Sequence, residues 1–367
     1  MGVDEILMHP DPYNMDLNEK NRLKLKAIKE SFVYHYNNCE KYRIFCKSRD
    51  FSPDKLKGFS DLSKIPLLPI GVFKKYDLLS VDKQDISIIA KSSGTTGSVS
   101  RVYRDKITID RLTKGVFKMV DWMTEGRKGF VGALVPPPGE NDAWIIQSSS
   151  MIFPKYFDRV EHFIRGGRID INYMMKILSD PDLPKPRHLF GPPFAYLMLA
   201  EALQKNSITI KLDEGSLIVT GGGWKSFEDK SIPKDTFRGI VSRLFSIPVQ
   251  NIRDSLSCAE INSWITDCRC FKKHVPPWLH VSIRDPENPD EEVGVGEEGL
   301  IAYLDPLAHS YPGFILTDDV GKIIVEENEV CECGSIGPCL HENVRRAKGA
   351  EARGCALRLQ ELIRETK

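Results

Sequence analysis

The longest regular pattern of apolar positions lies near the N-terminus. Apolar side chains recur there at intervals of three and four residues, at Leu25, Ile28, Phe32 and Tyr36. This spacing places side chains on one face of an α-helix. Asp16, three residues before Glu19, is typical of a helix N-terminus. The pattern therefore predicts a helix from Asp16 to about Asn38 whose apolar face packs against a core.

Further along the chain, short apolar runs alternate with longer stretches of helical character. The runs have the length of buried β-strands and cover residues 130–135, 217–220, 300–304 and 323–325. Prolines interrupt residues 51–90, which indicates turns and short helices there. The alternation predicts an α/β fold in which sheets and helices form layers.

Composition narrows the class of protein. The chain has 367 residues, of which 41% are hydrophobic, and its 51 basic residues equal its 51 acidic ones. This is enough apolar material for a large core, and it excludes a disordered or fibrous protein. A balanced charge gives no field that would attract a nucleic acid. The apolar runs are shorter than the ~18 residues of a membrane span, and the first residues do not resemble a signal peptide. We expect a cytoplasmic protein with no nucleic-acid or membrane partner.

The nine cysteines are unevenly distributed, because six of them follow residue 267. Four of these form two C-x-C pairs, and histidines lie nearby. Cysteine thiolates and imidazoles are the ligands that tetrahedral Zn²⁺ prefers. The sequence thus suggests a structural zinc site with four ligands, Cys268, His274, Cys331 and Cys333. The spacing is not a repeated C-x2-C pair, so cysteines without a metal are the alternative.

A hydroxyl-rich segment between residues 91 and 100 is the sharpest local signal. Two glycines enclose two threonines, and glycine lets successive backbone N–H groups approach one anion while hydroxyls add further donors. It is not a Walker A loop, because no Gly-Lys-Ser/Thr ends it. The segment predicts a phosphate-binding loop formed by Ser92, Ser93, Gly94, Thr95, Thr96 and Gly97.

Three further segments place polar or flexible residues after apolar runs. The run 217–220 leads into three glycines, Trp224 and Lys225, and three consecutive glycines indicate a backbone that passes close to a ligand. Asp254 and Glu260 lie six residues apart. A third apolar run ends in a Thr-Asp-Asp sequence at Asp319, where we expect a turn. Taken singly, each of these carboxylates is compatible with an ordinary surface position.

Taken together and in this order, the segments resemble the adenylate-forming (acyl-activating) superfamily. The resemblance is greatest to its LuxE-type acyl-protein synthetase branch, with phenylacetate-CoA ligase as a related branch. It covers residues 88–356, about three quarters of the chain. It implies the large domain of an adenylate-forming enzyme, which uses ATP and Mg²⁺ to convert a carboxylic acid into an acyl-adenylate. The resemblance favours a fatty acid, with an aryl acid as the alternative.

The resemblance also implies a role for each motif. Residues 92–97 correspond to the phosphate loop, and Gly222 and Gly223 to a stretch that borders the adenine and the acyl pocket. Lys225 and Glu260 are the implied catalytic residues, and Glu260 also holds Mg²⁺. The remaining implied nucleotide-binding residues are Asp254 at the adenine amino group, Asp319 at the ribose hydroxyls, and Arg346 in the hinge segment.

Some positions depart from the superfamily pattern. Leu256 stands where the superfamily has an aromatic residue that stacks on adenine, and Ser257 and Ala259 replace its glycine and threonine. We expect weaker stacking as a result. The phosphate loop also lacks the Pro-Lys-Gly that often follows it, so we expect Arg101 or Arg104 to supply the positive charge.

The C-terminal segment suggests the acyl acceptor. The sequence continues for 12 residues after Cys355, whereas members of the superfamily continue into a mobile lid domain. We expect an adenylate-forming domain over residues 1–318 and a truncated hinge and acceptor segment over residues 319–367. LuxE-type proteins are acylated on a cysteine near the C-terminus, which makes Cys355 the implied nucleophile. Arginines on both sides would favour its thiolate.

Two alternatives remain open. In the first, the acceptor is the thiol of CoA or of a carrier protein, and Cys355 is structural. In the second, the departures at residues 256–259 mark a non-catalytic binding or scaffold protein. If Cys355 is instead the acyl acceptor, we expect a reductase or transferase protein to receive the acyl group from it.

Overall fold

The computed structural model describes residues 2–92 and 99–347, apart from the side chains of residues 225, 226 and 228. The chain divides into two compact units. The first contains the chain up to Lys118, residues 258–265 and the chain from Lys272 onward. The second contains residues 119–257 and 266–271. The predicted mixed α/β fold is confirmed.

The described part of the chain contains helices of very different length. The α-helices are α1 (Gly2–Met8), α2 (Leu17–Asn38), α3 (Glu40–Ser48), α4 (Lys106–Thr124), α5 (Trp144–Tyr156), α6 (Ile171–Leu178), α7 (Pro193–Lys205) and α8 (Lys234–Phe245). Short 3₁₀ helices cover Pro12–Asn14, Pro53–Lys55, Phe59–Lys64, Ile70–Lys74, Lys83–Asp85, Lys225–Lys230 and Val249–Asn251. Among the helices that the structure describes, none is long and apolar enough to cross a membrane.

The strands are mostly short. They are β1 (Leu68–Pro69), β2 (Ile86–Lys91), β3 (Arg101–Asp105), β4 (Phe130–Ala133), β5 (Arg159–His162), β6 (Ile164–Arg165), β7 (Arg168–Ile169), β8 (Arg187–Gly191) and β9 (Ile218–Gly221). The later strands are β10 (Ile252–Leu256), β11 (Ile265–Asp267), β12 (Lys273–His274), β13 (His280–Arg284), β14 (Gly299–Leu304), β15 (Phe314–Gly321), β16 (Ile323–Val325), β17 (Cys339–Leu340) and β18 (Arg345–Arg346). All four predicted apolar runs form strands, namely β4, β9, β14 and β16.

Helix α2 confirms the predicted helix and corrects its buried face. The Asp16 carboxylate accepts hydrogen bonds from the backbone N–H groups of residues 18 and 19 at 3.0 and 3.1 Å, which caps the helix. Leu25 and Tyr36 are only partly buried. The buried face instead comprises Lys20, Leu23, Lys24, Ala27, Ile28, Ser31, Phe32 and His35.

Two lysines lie on this buried face because an acidic partner reaches them. The Lys24 ammonium lies 2.7 Å from the Glu327 carboxylate, and the Lys20 ammonium lies 3.3 Å from it. Both lysines are almost completely buried. A buried ammonium group is tolerated only when it is paired and hydrogen-bonded. The apolar periodicity of the sequence cannot reveal Glu327 as the partner, because it lies about three hundred residues away in the chain.

The first unit contains a largely antiparallel sheet. Strands β13, β14 and β15 pair antiparallel, β1 pairs parallel with β15, and β18 pairs antiparallel with β15. This last pairing sets Asp319 opposite Arg346. Strands β2 and β3 form a separate hairpin, and β12 and β16 both pair with β17.

The second unit is built around parallel strands. Strands β10, β9, β8, β4 and β5 lie next to one another in that order, and each pair is parallel. Their apolar residues, among them Phe130, Leu189, Ile218 and Ile252, form a buried core with residues of helices α6, α7 and α8. Parallel strands end at the same edge of a sheet, so the carboxyl ends of β9 and β10 bring Gly221 and Ser255 together.

The buried His35 predicts a loss of stability in acid. Burial lowers the pKa of His35 to about 3, although a hydrogen bond with the Ala308 carbonyl acts in the opposite direction. The unfolded chain binds this proton below about pH 6.5, whereas the folded protein binds it only near pH 3. The free energy of unfolding should therefore decrease as the pH falls from 6.5 towards 3.

The measurement is urea unfolding of the wild type and of His35→Gln over this pH range. Glutamine can keep a hydrogen bond with the Ser80 hydroxyl, which lies 2.7 Å from Nδ1 of His35. The substitution should reduce the slope of stability against pH by about one proton, or ~1.4 kcal/mol per pH unit. Parallel curves for the two proteins would contradict the assignment of a neutral, buried His35.

Candidate active site

The predicted phosphate loop connects the two strands of the β2–β3 hairpin. Strand β2 ends at Lys91 and β3 begins at Arg101, and these two residues pair with each other. At the base of the connection, the Ser92 hydroxyl accepts a hydrogen bond from the Ser100 backbone N–H at 3.1 Å. The hairpin therefore fixes both ends of the segment. Five of its predicted residues lie outside the described residues, namely Ser93, Gly94, Thr95, Thr96 and Gly97.

Arg104 on strand β3 anchors the loop that carries Glu260. Its side chain is fully buried. The guanidinium group donates hydrogen bonds to the Ala259 carbonyl at 2.6 Å, the Ile261 carbonyl at 3.2 Å and the side-chain oxygen of Asn262 at 2.8 Å. Arg104 thus holds the backbone on both sides of Glu260. The alternative role of Arg104, as the positive charge beside a phosphate, stays a prediction, and these contacts to protein oxygens favour Arg101 for it.

Two further side chains, those of Tyr311 and Asp305, complete the support of this loop. The Tyr311 hydroxyl donates to the Glu260 carbonyl at 2.9 Å and accepts from the Asn262 amide at 2.9 Å. The buried Asp305 carboxylate accepts from the Asn262 backbone N–H at 2.6 Å. Sequence reasoning missed these residues, because nothing in their local sequence distinguishes them from ordinary core positions.

The other arginine that the sequence suggested, Arg101, has a different environment. Its side chain is half exposed. Its guanidinium lies 3.5 Å from the Asp77 carboxylate, which also accepts a hydrogen bond from the Tyr103 hydroxyl at 2.7 Å. An exposed ion pair of this length is weak. Arg101 therefore remains a candidate for the positive charge that we expect near the end of the phosphate loop.

The Glu260 carboxylate lies among other acidic side chains of the first unit. Glu260 is only 3% exposed. Within the described residues, no side chain donates a hydrogen bond to its carboxylate. Burial raises the pKa of Asp319, the Arg346 guanidinium opposes this effect, and Asp318 and Glu260 add to the increase. A buried carboxylate with acidic neighbours and no donor of its own is suited to a divalent cation, and Mg²⁺ prefers carboxylate oxygens.

Asp319 lies within a strand and not in the turn that the sequence predicted. Strand β15 continues through Asp318 and Asp319 to Gly321, because β18 pairs with this part of it. The Arg346 guanidinium lies 3.3 Å from the Asp319 carboxylate. The Thr317 hydroxyl accepts a hydrogen bond from the Asp319 backbone N–H at 3.1 Å. The pairing thus brings two predicted nucleotide-binding residues, Asp319 and Arg346, into direct contact.

Cys258 precedes Glu260 by two residues in the same loop. Burial raises the pKa of its thiol well above the ordinary value, and the charges of Glu260 and Asp319 increase it further. A thiol must lose its proton to act as a nucleophile. The surroundings of Cys258 therefore make it a poor acyl acceptor, although it lies beside the carboxylate cluster.

Asp254 is held at the carboxyl end of the parallel strands in the second unit. It pairs in register with Thr220 of β9, whose hydroxyl donates to the Asp254 carboxylate at 2.7 Å. The Lys234 ammonium lies 3.0 Å from its other oxygen. Thr220 and Lys234 therefore orient the two oxygens of the Asp254 carboxylate at this edge of the sheet.

The glycine-rich stretch after β9 has the backbone conformation that its composition suggested. Gly222 and Gly223 both have positive φ values, +81° and +63°, and both are exposed. A side chain at these positions would strain the backbone. Trp224 packs edge-on against Phe237 at 6.3 Å between ring centroids. Lys225 begins a 3₁₀ helix, and its side chain lies outside the description.

The predicted zinc ligands lie close together. One ligand atom from each of Cys268, His274, Cys331 and Cys333 lies within 4.8 Å of the others. The Cys333 sulfur lies 3.2 Å from Nε2 of His274. The proposed acceptor Cys355 and the arginines that flank it, Arg353 and Arg358, lie outside the described residues.

Comparisons with known proteins identify relatives of the chain and of its fold. The chain is 30% identical to a long-chain-fatty-acid–luciferin-component ligase of Aliivibrio fischeri over 99% of this chain and 94% of that protein. A phenylacetate-coenzyme A ligase of Aromatoleum evansii is 30% identical over 82 residues, which cover 22% of this chain and 19% of that protein. The described fold is similar to a 2-hydroxyisobutyryl-CoA ligase solved in an open conformation with 2-HIB-AMP and CoA.

The structural match has a TM-score of 0.68 and covers 92% of this chain and 77% of the ligase, at 14% sequence identity. It confirms the fold of an adenylate-forming ligase. Residues 1–364 match the model of the family described as acyl-protein synthetase, LuxE. The resemblance that the sequence motifs suggested is thereby confirmed, and with it the class of enzyme, a ligase. The chain belongs to the LuxE family of acyl-protein synthetases.

Proposed function

We propose that this chain uses ATP to activate a long-chain fatty acid and then transfers the acyl group to its own Cys355. The observation that carries this proposal is the buried Glu260, which lies near Asp319 in a loop whose backbone Arg104 holds, in a chain that matches the acyl-protein synthetase family over residues 1–364. The named relative in Aliivibrio fischeri, a long-chain fatty acid ligase, supports the class of acid.

The first step joins the acid to AMP. A carboxylate oxygen of the fatty acid attacks the α-phosphorus of ATP, the bond from that phosphorus to the bridging oxygen breaks, and pyrophosphate leaves. Backbone N–H groups and hydroxyls of residues 92–97 bind the phosphate oxygens. Asp254 accepts from the adenine amino group, and Gly222, Gly223 and Lys225 border the adenine and the acyl chain.

Asp319 and Arg346 bind the ribose end of the nucleotide. The Asp319 carboxylate accepts hydrogen bonds from both ribose hydroxyls, and the Arg346 guanidinium orients this carboxylate and opposes the rise of its pKa. Glu260 would hold Mg²⁺, which would neutralise charge on the phosphates when bound. The buried carboxylate of Glu260, to which no side chain of the described residues donates a hydrogen bond, and its acidic neighbours fit this ion.

The second step moves the acyl group to sulfur. The Cys355 thiolate attacks the carbonyl carbon of the acyl-adenylate, the carbon–oxygen bond to AMP breaks, and an acyl-thioester and AMP result. A nucleophile on the same chain replaces a bimolecular encounter, which favours reaction. In this proposal residues 1–318 form the adenylating domain and residues 319–367 the hinge and acceptor segment. A reductase or transferase protein would then receive the acyl group.

A transfer to CoA or to a carrier protein is the competing outcome. The partial match to a phenylacetate-coenzyme A ligase is the observation that favours it. Both outcomes share the first step, so only the identity of the thiol separates them. Mass spectrometry and pyrophosphate exchange on Cys355→Ala and on its control Cys258→Ala distinguish transfer to Cys355 from transfer to CoA. A wild type with neither an adduct nor acid-dependent exchange would be a non-catalytic protein.

Cys355→Ala should abolish self-acylation and leave adenylation intact. Intact-protein mass spectrometry after incubation with ATP, Mg²⁺ and a panel of fatty and aryl acids should show one hydroxylamine-labile acyl adduct on the wild type. The variant should show none. Its acid-dependent exchange of pyrophosphate into ATP should stay within about twofold of the wild type, because the thiol acts only in the second step.

The matched control is Cys258→Ala, because Cys258 has a strongly raised pKa. This variant should still acquire the acyl adduct. An adduct that persists in Cys355→Ala would refute the assignment of the acceptor. AMP release only after CoA is added, without any adduct, would establish transfer to CoA.

Glu260→Gln should greatly slow the first step. Glutamine has nearly the same shape but no negative charge, so it cannot hold Mg²⁺ as tightly. The rate of pyrophosphate exchange should fall on the order of 100-fold, and part of the rate should return at high Mg²⁺ concentration. Glu298→Gln serves as the control, since its exposed carboxylate pairs only weakly with Arg345 at 3.4 Å. Equal exchange rates in Glu260→Gln and the control would remove Glu260 from the site.

Arg104→Leu should destabilise the first unit through the Glu260 loop. The substitution leaves the buried carbonyls of residues 259 and 261 without their donor. We expect a loss of about 2–4 kcal/mol in the free energy of unfolding. Arg101→Leu, whose guanidinium is half exposed, should change stability by less than ~0.5 kcal/mol. Urea unfolding of the two variants provides the comparison, and equal stabilities would show that Arg104 is not the anchor.

A further inference from the structure

A turn between strands β11 and β12 presents the first of two matching cysteine pairs. The backbone N–H of Cys270 points at the Cys268 sulfur at 3.3 Å. The backbone N–H of Phe271 donates to the Cys268 carbonyl at 3.0 Å. Phe271 has a φ of +59°, a conformation that bulky residues rarely adopt. An N–H group directed at sulfur stabilises a thiolate, which is the form that binds metals.

The segment before strand β17 repeats this geometry. The backbone N–H of Gly334 donates to the Cys331 carbonyl at 2.8 Å, and the backbone N–H of Cys333 is hydrogen-bonded to the Cys331 thiol. Gly334 has a φ of +98°. Each turn therefore places a left-handed residue directly after a C-x-C pair and directs an N–H at its first sulfur. The two segments are distant in the sequence but share a turn geometry that stabilises a thiolate ligand.

His274 of strand β12 supplies a nitrogen next to these sulfurs. Its Nε2 lies 3.2 Å from the Cys333 sulfur. Together with Cys268 and Cys331, the two residues place four ligand atoms within 4.8 Å of one another. A Zn–S bond of about 2.3 Å implies separations of about 3.8 Å between ligand atoms around a tetrahedral ion. The four atoms therefore lie near enough to one another for an adjustment of about 1 Å to bring them to this spacing.

The second cysteine turn is held in place independently of any metal. Lys24 of helix α2 pairs with Glu327, which lies just before the turn. The ammonium of Lys20 donates to the carbonyls of Glu327 and Ile336, at 3.4 Å in each case. Residues 327–336 are thus fixed at both ends to the same helix. Such support gives the ligands a preformed position and lowers the cost of assembling a site.

We propose that Cys268, His274, Cys331 and Cys333 bind one structural zinc ion. Three thiolates and one imidazole are a ligand set typical of structural Zn²⁺. Four protein ligands leave no open position for a substrate or water, so the ion takes no part in the ligase reaction. Its role is to hold the strand β12 segment and the residues before β17 together. This proposal does not depend on the acceptor thiol or on the acid.

The test is the metal content of the full chain, purified without added metal and measured by inductively coupled plasma mass spectrometry. We expect about one zinc per chain in the wild type. Cys331→Ser/Cys333→Ser should contain less than about one tenth of that amount, since it loses two of four ligands. Cys270→Ser is the matched control and should keep the zinc, because it lies in a cysteine turn but outside the ligand set.

Cys339 provides a second discrimination, because it pairs with His274 across β12 and β17. Cys339→Ser should keep the zinc and Cys268→Ser should lose it. The reverse result would overturn the assigned ligand set. Wild-type protein without zinc, even after exposure to Zn²⁺, would overturn the site itself, as would a wild type that carries iron or copper there.

Cobalt substitution tests the metal site in the wild type, so it does not depend on whether the cysteine variants fold. The wild type, stripped of metal by a chelator together with a thiol-modifying reagent that is then removed, should bind one Co²⁺. It should show thiolate-to-cobalt charge-transfer absorption and the intense visible bands of tetrahedral cobalt. A weak octahedral spectrum would contradict a site made of three thiolates and an imidazole. Pyrophosphate exchange measured on the same samples separates this outcome from a failure of the proposed ligase activity.

Discussion

The candidate active site depends on one buried cation. Arg104 is fully buried, and its guanidinium binds the backbone carbonyls of residues 259 and 261. A buried guanidinium is costly unless its donors are satisfied. The loop that carries Glu260 therefore has one favourable position, in which its carbonyls meet these donors. Tyr311 and Asp305 fix the same loop from other elements. The carboxylate proposed to hold Mg²⁺ owes its position to this network and not to the local sequence.

The same principle recurs where helix α2 meets the segment before the second cysteine turn. Lys24 and Lys20 are buried and satisfied by Glu327 and by backbone carbonyls. In both places a buried cation orients a loop that carries ligand residues. Removal of the partner of a buried cation lowers the free energy of unfolding. Buried cations therefore favour the one arrangement of the chain in which their partners are in place. The two networks serve different chemistry, one at the proposed nucleotide site and one at the proposed zinc site.

The acidic cluster combines charges that repel one another. Burial raises the pKa of Asp319, the Arg346 guanidinium opposes this effect, and the charges of Asp318 and Glu260 add to the increase. A divalent cation with a nucleotide would relieve this repulsion, which is a physical reason for the cluster to exist. Cys258 shares the environment, and its raised pKa disfavours the thiolate that an acyl acceptor requires. The acidic surroundings thus favour a cation beside Glu260 and disfavour a thiolate at Cys258, although both residues lie in the same loop.

The sequence alone determined those features whose chemistry is local. The hydroxyl- and glycine-rich segment, the glycines before Trp224, the C-x-C pairs and the order of Asp254, Glu260 and Asp319 all carry their meaning in adjacent residues. They sufficed to identify the family and the fold class. The tertiary structure alone decided that Arg104 is an anchor, that Lys24 faces inward and that Asp319 lies in a strand. Each of these depends on a partner far away in the chain, 155 residues between Arg104 and Ala259, and burial of a charge is decided by such partners rather than by periodicity.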